Sequence, residues 1–130
     1  MILVDTHIVL WLAFEQNRLS KTAKAAIDDA REKGSGLSIS AITLLELTTL
    51  ALKRRFGIDI SLESFLAEVE AHFVVLPISG RACVRSLSLP GGYPKDPADR
   101  IIAATALVEG LSLLTADQEI RRSKAVHTIW

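Results

Sequence analysis

Short apolar runs alternate with amphipathic stretches along the whole chain. Residues 2–4 (ILV) form an apolar strand that ends at Asp5, and a helix starts near Thr6 and carries Ile8, Leu10, Trp11, Leu12 and Phe14. Ser20 is placed to cap a second helix, KTAKAAIDDAREK, which Gly34 and Gly36 terminate. Leu37 to Ile39 reads as a strand, and Ser40 as the cap of a helix from Ala41 to about Arg55, ended by Gly57. Ser61 opens another helix, LESFLAEVEAH. FVVLPI, residues 73–78, has the continuous apolar pattern of a strand buried on both faces.

Ser79 caps a helix to about Leu89, within which Cys83 reads as a small core residue. PGGYPKDP is a loop, with three prolines and two glycines in eight residues. A helix over Ala98 to Glu109 stops at Gly110, LSLLT (111–115) is a buried strand, a short helix covers 117–122, and VHTIW closes the chain as a strand. This alternation predicts an α/β domain in which helices cover both faces of a parallel sheet. In such sheets, ligands bind outside the carboxyl ends of the strands. Asp5 and Asp117 both follow a predicted strand, hence share that edge.

Length and composition agree with one domain. The chain has 130 residues, 49% of them hydrophobic and 23% charged, which is a globular balance. Lys+Arg and Asp+Glu are 15 each, so no global attraction draws in a polyanion, and contact with nucleic acid has to come from local patches. The candidates are Lys53-Arg54-Arg55 and Arg121-Arg122 with Lys124, which serve equally as solvated helix ends. A single cysteine excludes an internal disulfide and fits a reducing compartment. MILVDTH lacks the basic start of a signal peptide, and the apolar run from Ile8 to Phe14 is too short to span a bilayer. The expectation is a soluble, cytoplasmic protein that does not enter a membrane.

The chemistry lies in the acids. Asp5, Glu46, Asp99 and Asp117 sit at strand ends or inside apolar helical stretches, where an unpaired carboxylate is costly to bury. Glu46 has Ile42 and Leu50 one turn away on either side, with Thr43 and Thr49 at three residues. Asp99 has Ile102, Ala103 and Ala106 on its face, which turns it toward the core edge. Arg100 lies about 100° around the helix from it, a poor direct partner.

Each acid also has a purely structural reading. Asp5 caps the helix at Thr6; Asp96 caps the next with Pro97 at its first position; Thr115 and Gln118 make a capping box that leaves Asp117 as a first-turn acid; Glu46 reaches water from the edge of its stripe. A shared site for a hard divalent cation, Mg²⁺ or Mn²⁺, explains all of them together. His7 is either a structural residue or a donor beside that site. Phosphate-cradling glycine loops, the G-x-S-x-G nucleophile turn and H-E-x-x-H zinc spacing are all absent from the sequence.

V-D-T at Asp5, S-x-x-x-L-L-E ending at Glu46, K-D-P-x-D-R containing Asp96 and Asp99, and L-x-T-x-D ending at Asp117 together resemble a PIN-domain ribonuclease. More narrowly, they resemble the VapC-like toxins of bacterial type II toxin–antitoxin modules. The resemblance runs from Asp5 to Asp117 and rests on the ordered set rather than on any one motif. It implies a three-layer α/β/α domain over residues 1–130, with a parallel sheet of about four to five short strands. It assigns Asp5, Glu46, Asp99 and Asp117 as the catalytic, metal-binding acids for Mg²⁺ or Mn²⁺. Thr6, Asp96 and Thr115 then support them.

The resemblance further implies an RNA substrate, a homodimer and a cognate antitoxin. The corresponding activity is endonucleolytic cleavage of single-stranded RNA, with one or two ions activating water. Two rivals remain at this point. One is a non-catalytic module whose acidic pocket holds a basic peptide. The other is a phospho-acceptor domain built on Asp5, which lacks the usual acidic pair and leaves Glu46 unexplained.

Overall fold

The structure is a computed structural model, which describes residues 1–54 and 59–130. The expected stop at Gly57 and Arg55 of the first basic cluster lie outside the described residues. In chain order the elements are β1 (Ile2–Val4), α1 (Thr6–Phe14), α2 (Lys21–Glu32), β2 (Leu37–Ser40), α3 (Ala41–Arg54), α4 (Leu62–His72), β3 (Val74–Leu76), α5 (Gly80–Ser86), α6 (Pro97–Glu109), β4 (Leu113–Leu114), α7 (Gln118–Ser123) and β5 (Thr128–Ile129). A 3₁₀ turn at Gln16–Arg18 links α1 to α2.

The sheet has five strands in the order β3-β2-β1-β4-β5, and every pairing is parallel. Side chains alternate across it. Val4, Ile39 and Leu114 enter one core with Ile8 and Val9 of α1, Ala23 and Ile27 of α2, Leu47 of α3 and Phe65 of α4. Leu3 and Leu113 enter the other with Ile102, Ala103 and Ala106 of α6 and Ile120 of α7. The period-two pattern of a strand thus distributes adjacent residues to opposite layers, which gives the three-layer α/β/α architecture.

Helix starts follow the sequence. Ser20, Ser61 and Ser79 accept from the backbone N–H of Ala23, Ser64 and Ala82 at 3.0, 3.1 and 3.1 Å. Gly110, at φ 66°, takes the left-handed position that ends α6, and Leu111 N–H then bonds Ala106 O at 2.8 Å.

Two expectations fail. The apolar run 73–78 is an edge strand only three residues long, and Val74 is 46% exposed rather than covered on both faces. Cys83 is exposed, because the short α5 buries Ala82 and Ser86 and turns its other faces outward.

The chain runs outward from β1 to β2 and β3, then returns to place β4 and β5 on the other side of β1. The reversal between β1 and β4 opens a crevice at their carboxyl ends. Asp5 and Thr115 begin the two connections that leave it.

Candidate active site

Asp5 is 7% exposed and directly follows β1. Its Oδ1 accepts the N–H of Thr6 at 2.8 Å, and its Oδ2 accepts the hydroxyl of Thr115 at 2.7 Å. Asp5 is therefore a helix cap, as one of its readings had it, and also half of a bond between adjacent strands. Thr115 does not form the expected capping box. Asp117 caps α7 instead, accepting from Glu119 and Ile120 N–H at 2.8 and 3.0 Å, while Thr115 Oγ1 accepts the N–H of Asp117 at 3.1 Å. A single buried hydroxyl thus fixes Asp5 and Asp117 relative to each other.

Thr6 does the corresponding work for α3. Its hydroxyl donates to Glu46 Oε1 at 2.6 Å and lies 3.0 Å from the hydroxyl of buried Thr43. Glu46 is half-buried rather than extended to water. On α6, Asp96 Oδ1 accepts from Ala98 and Asp99 N–H at 2.8 and 3.3 Å, and Pro97 occupies the first helical position. Tyr93 anchors this turn: its buried hydroxyl donates to the Asp99 carbonyl at 3.0 Å. Arg100 turns away from the acids and reaches the carbonyls of Ser86 and Tyr93 at 3.3 and 3.4 Å.

These elements bring the acids together in two overlapping groups. Glu46, Asp96 and Asp99 each offer a carboxylate oxygen within 4.8 Å of the others. Asp99 also lines a pocket of about 230 Å³ with Asp5, Asp117, His7, Trp11 and Ala116. Asp99 belongs to both groups and joins them. Asp96 combines two roles, since it caps α6 and also stands in the carboxylate cluster. His7 is exposed and lines the pocket, so it is not a core histidine. Trp11 is the residue that sequence reasoning missed at this site. The available signal was its position one helical turn after His7, on the same face of α1.

Electrostatics mark the cluster. Burial raises the pKa of Asp99, and the charges of Asp5, Asp96, Glu46 and Asp117 raise it further, to about 7. Burial also raises Asp5 and Glu46, against the opposing hydrogen bonds from Thr115 and Thr6 respectively. Among the described residues, the ion pairs join Arg18 to Glu15, Lys33 to Asp29 and His72 to Glu68, none of which lines the pocket. The donor set is oxygen only, partly desolvated, mutually repulsive and without an internal cation. Such a set fits a hard divalent ion.

Arg121, Arg122 and Lys124 are exposed on and just after α7. No described helix is long and apolar enough to cross a membrane.

Comparison with known proteins gives a consistent answer. The family model described as PIN domain matches residues 2–125. The chain is 35% identical to Ribonuclease VapC22 of Mycobacterium tuberculosis, over 99% of this chain and 98% of that protein. Among solved structures, a toxin–antitoxin complex from Klebsiella pneumoniae contains a chain 27% identical, with a TM-score of 0.62, covering 90% of this chain and 87% of that one. VapBC2 of Rickettsia felis, bound to a promoter DNA fragment, matches in fold with a TM-score of 0.73 at 18% identity, covering 98% and 97% of the two chains. On the extent of these matches and the order of its acidic motifs, the chain belongs to the PIN domain family, among its VapC-like members.

Proposed function

We propose that this protein is a divalent-metal-dependent endoribonuclease that cleaves single-stranded RNA, and that it is the toxin of a toxin–antitoxin pair. The observation that carries this reading is the convergence of Asp5, Glu46, Asp96, Asp99 and Asp117 at the carboxyl edge of the sheet. Its extended similarity to a protein named as a ribonuclease supplies the reaction class. The Klebsiella pneumoniae neighbour supports the pairing with an antitoxin.

Glu46, Asp96 and Asp99 would hold Mg²⁺ or Mn²⁺, with Asp5 completing the anionic wall. Bound there, the ion supplies a Lewis acid that activates water and offsets charge on the scissile phosphate. Thr6 and Thr115 keep Glu46 and Asp5 aimed inward. Asp117, exposed at the pocket and tied to α7 through Oδ1, is the group we assign to orienting the attacking water.

The toxin reading includes a homodimer acting in the cytoplasm. Exposed Leu45 and Leu52, two turns apart on α3, and exposed Val84 and Leu87 around the end of α5 support the dimer as surfaces to cover. The test is cleavage of RNA by purified protein with Mg²⁺ or Mn²⁺ against EDTA, alongside Asp5→Asn and Asp99→Asn. Metal-stimulated cleavage lost in both variants supports the assignment; metal-independent cleavage retained by the variants overturns it.

A further inference from the structure

The pocket holding the acids has a second wall of different chemistry. Asp5, Asp99 and Asp117 come from the ends of β1 and β4 and from α6, whereas His7 and Trp11 come from α1. The two α1 residues are four apart, so they stand one above the other on a single face. Trp11 is partly buried: it packs against the core that contains Ile8, Val9 and Leu10, and it also lines the pocket.

The indole is held in place by groups that do not line the pocket. The guanidinium of Arg18 sits 4.4 Å from its centroid, and the ring of Trp130 packs against it at 5.8 Å with a 56° tilt. A ring fixed from outside lines the pocket with little entropy left to lose.

We propose that Trp11, with His7 beside it, forms a nucleobase subsite: one unpaired base of an RNA strand packs on the indole while the adjoining phosphate faces the acidic wall. The polymer's identity rests on the ribonuclease reading above. Aromatic side chains take splayed single-stranded bases by stacking, independently of base identity, and a base locked in a duplex is not available to such a wall. The pocket therefore selects for unpaired RNA by its construction. His7, exposed beside the indole, places a hydrogen-bonding imidazole next to the path of the backbone. A basic peptide would also be drawn to the acids. However, the indole already carries a guanidinium from Arg18, so its pocket-facing surface offers stacking more than a further cation site.

The test uses the two tryptophans of the chain. A Trp130→Phe variant, checked for cooperative melting, leaves Trp11 as the sole indole emitter. It is titrated in Mg²⁺ with a random-sequence single-stranded RNA octamer, an abasic octamer of equal charge, the same octamer in a duplex, and an Arg-rich peptide. Cleavage of the octamer is followed in parallel. Saturable quenching by the single strand, at least about tenfold weaker with the abasic strand or the duplex, supports the subsite.

A Trp11→Phe variant keeps a stacking ring and is expected within a few-fold of wild-type affinity by competition binding. A Trp11→Leu variant is expected to lose about tenfold or more. Cleavage without quenching, or equal affinity of Trp11→Leu, overturns the subsite and leaves the nuclease reading intact. Quenching without cleavage supports the subsite and removes the nuclease reading. Quenching by the peptide alone overturns the subsite in favour of a peptide-binding wall.

Discussion

The hydroxyl of Thr115 donates a 2.7 Å hydrogen bond to Oδ2 of Asp5 across 110 residues of sequence, joining the carboxyl ends of β4 and β1. Both residues are buried, and the same hydroxyl oxygen accepts the N–H of Asp117. One oxygen therefore sets the spacing of two acids that border the same pocket.

Thr115→Val keeps the shape of the side chain and removes both contacts. Asp5 Oδ2 is then left buried without a donor, which costs about 1–3 kcal/mol. The desolvation that already raises the Asp5 pKa then acts without its main counterweight, so that pKa moves further up. The expected result is a lower urea midpoint and roughly a 10- to 100-fold loss of metal affinity or activity. Thr115→Ser, which keeps the hydroxyl, should recover most of both. A valine variant with wild-type activity would show that the bond does not position Asp5.

Asp99→Asn should separate stability from function. In the metal-free protein Asp99 faces the charges of Asp5, Asp96, Glu46 and Asp117, so removing its own charge relieves repulsion. The melting temperature in EDTA should rise, by several degrees if the relief is on the order of 1 kcal/mol. The same change removes the carboxylate shared by the two acidic groups, so added Mg²⁺ should stabilise the variant far less than the wild type. Differential scanning fluorimetry with and without Mg²⁺ reads both effects. A variant that melts lower in EDTA would mean the repulsion is already neutralised.

The acids also fix the direction of the pH dependence. Folding raises the pKa of Asp99 from 3.8 to about 7, and raises Asp5 and Glu46 as well. Below the unfolded value both states are protonated and there is no penalty. As pH rises toward the folded value, the unfolded chain has released a proton that the folded chain still holds, so stability falls; above it the penalty is constant. The metal-free protein should therefore melt higher near about pH 5 than near about pH 8. Saturating Mg²⁺ should shrink or reverse the difference, because a cation favours the carboxylates. Thermal melts in EDTA across that range decide it, and a higher midpoint at the alkaline end would contradict the cluster.

Much of this was legible in the sequence because it is locally encoded. Ser20, Ser61, Ser79 and Asp96 act as caps through bonds to residues two or three positions on. The strand–helix alternation fixed the edge on which Asp5 and Asp117 stand. What local pattern could not carry was partnership across the sheet. Thr115 looks like a capping-box residue until Asp117 takes the N-cap of α7 and the pairing of β4 with β1 lets the Thr115 hydroxyl donate to Asp5. Residues 73–78 look doubly buried until the strand order leaves β3 at an edge. Glu46 is anomalous in sequence, but its hydroxyl partner lies 40 residues away on α1. Trp11 reads as one more apolar residue of a helix core, since only the assembled crevice gives it an open side.

Arg100 and Tyr93 should control metal affinity without touching the metal. The loop before α6 is rich in proline and glycine and has no regular structure to hold Asp96 in place. Three side-chain bonds tie it down: Tyr93 hydroxyl to the Asp99 carbonyl at 3.0 Å, and Arg100 to the carbonyls of Ser86 and Tyr93 at 3.3 and 3.4 Å. Burial, with the nearby carboxylates, pushes the Tyr93 phenol above its usual range, so it remains a donor. Arg100→Lys keeps the charge and cannot span two carbonyls with one ammonium. Tyr93→Phe removes a single neutral bond, worth about 1 kcal/mol. The lysine variant should thus lower Mg²⁺ affinity the more, with Asp96 released from its place beside Glu46 and Asp99. Both should regain cleavage at raised Mg²⁺, because the ligands themselves are intact. Calorimetric titration of Mg²⁺ gives the affinities. A loss of cleavage that high Mg²⁺ does not restore would mean that the two residues act on the substrate rather than through the loop.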